Sequence, residues 1–144
     1  MLVQLALVKA PLKAEKSYNF NSFKTTRLLI NKPSVDVQLD GQSVIRQELQ
    51  FTGHYGKFTG EGFANTTVRV KPVESGAVVD FAGTTVKKVI VDGKNVKEIR
   101  GAENIQEIEY VNGASADQVK ILDVEGEPIM ALLFSCERVM LEIC

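Results

Sequence analysis

Tryptophan is missing from the 144 residues, histidine occurs once and cysteine twice. With His54 as the single imidazole, a paired-histidine metal site and a cupin-like histidine cluster are excluded. Cys136, Cys144 and His54 lack the close CxxC or HxxxH spacing that marks a zinc site, so no metal and no cofactor is expected. Either thiol could become a nucleophile only if folding set it beside His54, and nothing in the spacing requires that. The two cysteines are eight residues apart. In one extended strand that is about 26 Å, too far for a bridge, and free thiols fit an intracellular chain better than a secreted one.

Long apolar runs are also missing. The longest, Ile129 to Phe134, falls far short of the ~20 residues that cross a bilayer. Met1 to Val8 is apolar but has no basic leader or small-residue cleavage pattern, so it reads as a strand rather than an export signal. Without a signal, Asn65-Thr66-Thr67 is a chance match to a glycosylation acceptor. No low-complexity segment, internal repeat or long linker divides the chain, and a single domain over residues 1–144 is expected.

What is present is a β pattern: runs of β-branched residues cut by Gly, Asp-Gly and Asn-Gly turns, enough for nine or ten strands. Val35, Val37 and Leu39 alternate with polar residues up to Asp40-Gly41, after which Ile45, Leu49 and Phe51 take up the apolar positions. This predicts a hairpin with a three-residue turn that pairs Val37 with Ile45. A second hairpin is expected at Asp92-Gly93, with Val89 opposite Val96 and Lys87 opposite Glu98. A third pairs Ile108 and Tyr110 with Ile121 and Val119 across a loop at 112–117. Many short strands with close turns predict a mainly β fold with little or no helix, an antiparallel β-sandwich or barrel.

Two segments stand out as candidate sites. Residues 53–63 hold four glycines beside His54, Tyr55, Lys57 and Phe58, a mixture that suits recognition but does not fit the GxxxxGK[ST] phosphate loop. The plainer account is a flexible connection between strands with its rings folded on the edge of the sandwich. Residues 9–32 carry Lys9, Lys13, Lys16, Lys24, Arg27 and Lys32 against Glu15, with Tyr18, Phe20 and Phe23 interleaved. Cations and rings in that mixture serve single-stranded nucleic acid, although Tyr18 and Phe20 also share one strand face, where core packing explains them. Glu103, Glu107, Glu109 and Asp123 could approach one another as a glycosidase-like set, but strand alternation makes a solvated face the simpler reading.

The charge is unevenly distributed. Residues 1–73 carry ten Lys or Arg and five acids, whereas residues 74–144 carry seven and thirteen. Local neutralisation between neighbouring strands of the two halves is the plainer reading, and head-to-tail contact between subunits is the other. With no catalytic set, the sequence points to a non-enzymatic structural or protein–protein interaction subunit. Such a subunit would be a homo-oligomer or part of a larger assembly such as a virion or tail-like particle, with Leu2 to Val8 or Val139 to Ile143 as an edge strand across the boundary. The alternatives are a single-stranded nucleic-acid binder using Lys13, Lys16, Tyr18, Phe20, Phe23, Lys24 and Arg27, or a small-ligand domain with Tyr55 and Phe58 at its mouth. No membrane partner is expected.

Overall fold

The computed structural model describes residues 16–129, and there the chain winds into a two-sided parallel β-solenoid. Strands alternate between two sheets. Sheet 1 holds β1 (Lys16–Phe20), β3 (Ser34–Leu39), β5 (Tyr55–Thr59), β7 (Ala77–Asp80), β9 (Val96–Arg100) and β11 (Lys120–Ile121). Sheet 2 holds β2 (Lys24–Ile30), β4 (Val44–Phe51), β6 (Thr67–Val70), β8 (Lys88–Asp92) and β10 (Ile108–Val111). Each strand pairs in parallel with the next strand of its own sheet, one coil further on. Register partners such as Lys16 and Val35, or Tyr55 and Val78, set a coil of 19 to 23 residues.

The antiparallel β-sandwich or barrel expected from the sequence is therefore overturned, while the near absence of helix is observed. The three predicted hairpins do not form. β3 and β4 lie in different sheets, and Asp40-Gly41 is a corner between them rather than a hairpin turn. Val37 pairs with Tyr18 and Phe58, not with Ile45. Val89 pairs with Val68 and Ile108, not with Val96, and β10 pairs with β8 rather than with the segment around Ile121. The physical reason is that alternation reports only which face of a strand is buried. A strand packed across the core from the other half of its own coil carries the same pattern as one arm of a hairpin. The expectations placed on Leu2 to Val8, on Val139 to Ile143 and on the two cysteines lie outside the described residues, as does most of the run from Ile129 to Phe134.

Inward positions stack into columns along the axis. In sheet 2, Leu28, Leu49, Val68, Val89 and Ile108 form one and Ile30, Phe51, Val70, Val91 and Tyr110 another. Sheet 1 contributes Val35, Gly56, Val79, Ile99 and Ile121. Gly56 leaves room in its column for the rings of Phe58 and Phe51, which stand within 3.0 Å of where its Cβ would be. Phe58 is fully buried and meets Phe51 edge-on at 5.4 Å, Phe63 at 6.0 Å and Phe81 at 5.6 Å, an aromatic centre bridging the two sheets. Phe63 arrives from a short 3₁₀ turn, Glu61–Asn65.

Corners are tied coil to coil by side chains. Asp40 accepts from the Ser22 amide at 3.1 Å and from the Ser43 hydroxyl at 2.8 Å. The Asn95 amide group donates to the Pro72 carbonyl at 2.9 Å, and that of Asn104 to Gly83 at 2.8 Å. These bonds satisfy backbone groups that a turn leaves unpaired.

Candidate functional site

A solenoid stacks its coils in chain order, so the charge division of the sequence becomes a division along the axis. The first described coil, residues 16–32, carries Lys16, Lys24, Arg27 and Lys32 and no acid. The last, residues 103–129, carries seven acids against the single Lys120. Strands of the two halves neighbour one another at their boundary, where Lys57 stands opposite Asp80 and Arg69 pairs with Asp92, so the plainer expectation of local neutralisation holds there, while the described coils run from a basic first coil to an acidic last one.

Between those ends, the outer face of sheet 2 carries charges of alternating sign. Arg27 Nη2 stands 3.8 Å from Glu48, whose carboxylate accepts from Arg69 Nε at 3.1 Å. Arg69 Nη1 then donates to Asp92 Oδ2 at 2.8 Å, and the Asn112 side chain donates to Asp92 Oδ1 at 2.8 Å. Arg69 thus spans the carboxylates of the coils before and after its own. Burial pushes the Asp92 carboxyl up, but the bonds from Asn112 and Arg69 outweigh it and hold the group below the usual carboxylate range. Burial also opposes the Arg69 charge, and the bonds to Asp92 and Glu48 reverse that, raising its pKa. Further along the face, Lys88 Nζ lies 2.6 Å from Glu109 and 3.7 Å from Glu107, and the bond to Glu109 raises the lysine's pKa.

The two expected groups of site residues fare differently. Lys13 lies outside the described residues. Lys16, Tyr18, Phe20, Phe23, Lys24 and Arg27 do come together on the first coil, where Phe20 lies 4.7 Å from Phe23 and 6.4 Å from Tyr18. Tyr18 and Phe20 are partly buried against the core, while the cations of the first described coil stay exposed.

Tyr55 to Thr59, expected as part of a flexible connection, is instead a central strand of sheet 1. Gly53 is there for space: a Cβ would collide with the Lys32 carbonyl oxygen. A partner arriving from solvent meets Tyr55 and Lys57, which are half-buried on the outer face, and cannot meet Phe58. The barrel mouth imagined for Tyr55 and Phe58 does not exist, because the interior is filled. Burial, followed by the charge of Asp80, raises the Tyr55 hydroxyl pKa. His54 is exposed beside a 210 Å³ depression shared with Asn31, Lys32, Thr52 and Glu74. A second depression of 400 Å³ is lined by Gly60, Glu61, Ala64, Thr84 and Thr85.

In the depression beside His54 the Thr52 hydroxyl donates to the Asn31 side chain at 2.7 Å, and the second depression holds Glu61 and two threonines without a base. Among the described residues no three His, Cys, Asp or Glu side chains are grouped to hold a metal, and no helix is long and apolar enough to cross a membrane. Glu107 and Glu109 are exposed and both reach Lys88. Sequence reasoning missed Glu48, Arg69, Asp92 and Asn112. The available signal was the cation at 69 between Val68 and Val70, an outward position whose partners lie about one coil away on either side. No protein-family model, no curated protein and no solved structure matches the chain.

Proposed function

We propose that this chain is a non-enzymatic interaction subunit whose work is contact with other protein, made through the ends of its solenoid. The observation that carries the reading is the axial separation of charge, four cations without an acid on the first described coil and seven acids with one lysine on the last. Both ends also leave strand edges paired on one side only among the described residues: β1 and β2 at one end, β10 at the other. An unpaired edge is a template for another strand, and opposed charge favours encounter between unlike ends.

The test is the mass in solution, by light scattering behind a sizing column under reducing conditions, across protein concentration and salt. Mass that rises with concentration and falls with added salt supports the reading, and a strict monomer throughout overturns its homotypic form. A second reading, single-stranded nucleic-acid binding by the basic first coil, draws on the grouping of Lys16, Lys24 and Arg27 there. Retention of a labelled oligonucleotide that weakens steeply with salt, and is lost when those three are reversed in charge, would favour it.

A further inference from the structure

We infer that the partner is a second copy of this chain, stacked head to tail so that its β2 extends sheet 2 beyond β10 in the register already used inside the molecule; this rests on the interaction reading above. Parallel coils are related by a nearly constant step along the axis. The edge of β10 that no described strand covers therefore has the same direction and spacing as the edge that β8 offers to β10, and β2 is the strand type that such an edge receives.

Continuing the columns places Leu28 of the second copy on Ile108 and Ile30 on Tyr110, joining inward positions that end half-buried at Leu28, Ile108 and Tyr110. It also places Arg27 on Glu107. Arg27 is 66% exposed and Glu107 62% exposed, each with only a distant partner, at 3.8 Å and 3.7 Å. The new pair would carry the alternation of sign across the boundary.

Sheet 1 takes a different part. Its last edge is blunted by the turn at Asp123 to Gly126, which returns Pro128 antiparallel to Leu122 and bonds the Ile129 amide to the Ile121 carbonyl at 3.0 Å. Proline has no N–H to offer a further strand. The hydrogen bonding of the joint therefore belongs to sheet 2, with Tyr18 and Phe20 of the second copy packed near Ile129. Two basic ends repel each other, as do two acidic ends, which excludes a closed symmetric dimer through either. A head-to-tail contact that repeats by a step along the axis grows without closing.

The test uses the full chain with Cys136→Ser and Cys144→Ser. One preparation carries Arg27→Cys and another Glu107→Cys; they are mixed, oxidised and weighed, with Leu29→Cys against Glu107→Cys as the slipped register. A covalent dimer from the 27 and 107 mixture, absent from either preparation alone and weak for 29 and 107, is the expected result. In parallel, Arg27→Glu should raise the concentration needed for association roughly tenfold or more, and adding Glu107→Lys to that chain should restore it. Growth in mass without the 27–107 product overturns the register while leaving the interaction reading standing. A monomer at every concentration overturns both the register and the homotypic form of that reading.

Discussion

Arg69 and Asp92 form a 2.8 Å ion pair in which the carboxylate is 6% exposed and takes its other bond from Asn112. The pair crosses from one coil to the next, so it couples two turns of the solenoid that no local sequence signal connects. Replacing Arg69 by Met leaves Asp92 and Glu48 half-paired at a partly buried face. The expected loss is about 2 kcal/mol, within the range for hydrogen bonds to charged groups and below that of a fully buried pair because Arg69 keeps some access to water. Urea denaturation followed by circular dichroism measures it.

The same pair fixes a pH dependence. Asp92 holds its proton less tightly folded than unfolded, so its contribution is present above the unfolded carboxylate value near 4 and is lost as pH falls through the lower folded value. Asp40, lowered chiefly by the Ser22 amide, acts in the same direction. Stability should fall from pH 5 to pH 3, and the gap between the parent chain and Arg69→Met should narrow over that interval. A gap that stays constant to pH 3 would show that Arg69 does not hold Asp92 ionised.

Phe58→Ala removes the ring that touches Phe51, Phe63 and Phe81. The cavity lies where the two sheets meet, with few ways to collapse, and a loss of about 3 to 5 kcal/mol is expected. Tyr55→Phe, which keeps the ring of a half-buried outer residue, should change stability by less than about 1 kcal/mol. Thermal unfolding of the two variants side by side checks the order.

Glycines divide into those kept for space and those kept for backbone angle. Gly53→Ala sets a methyl group against the Lys32 carbonyl and the Phe51 ring, with an expected loss of about 2 kcal/mol or more. Gly93, at φ +97°, has nothing within 4 Å of a new Cβ, so Gly93→Ala meets only the left-handed penalty of about 1 to 2 kcal/mol. A Gly53→Ala chain as stable as the parent would contradict the packing assigned to Gly53.

Much of the local structure was legible in the sequence. The alternation of Val35, Val37 and Leu39 marks β3, and Asp40-Gly41 and Asp92-Gly93 mark its kind of boundary, because a solenoid corner asks of the chain what a hairpin turn asks. The partner of each strand was not legible. Tyr18, Val37 and Phe58 are neighbours in one column, yet they share neither size nor shape. Val35, Gly56 and Val79 differ as much, so the coil leaves no repeat of letters. A column needs only to fill the space between two sheets, and large and small residues from successive coils do that together. The candidate site shows the same split. The imbalance of charge was plain in the sequence, but its meaning depended on whether the two halves interleave or stack.

Because they stack, the described coils form an electric dipole along the solenoid axis, with its basic pole at the first described coil and its acidic pole at the last. Such a particle would turn to align in an applied field. Any row of copies joined unlike end to unlike end would add these moments rather than cancel them, giving a filament whose two tips differ in charge and so differ in what they can recruit.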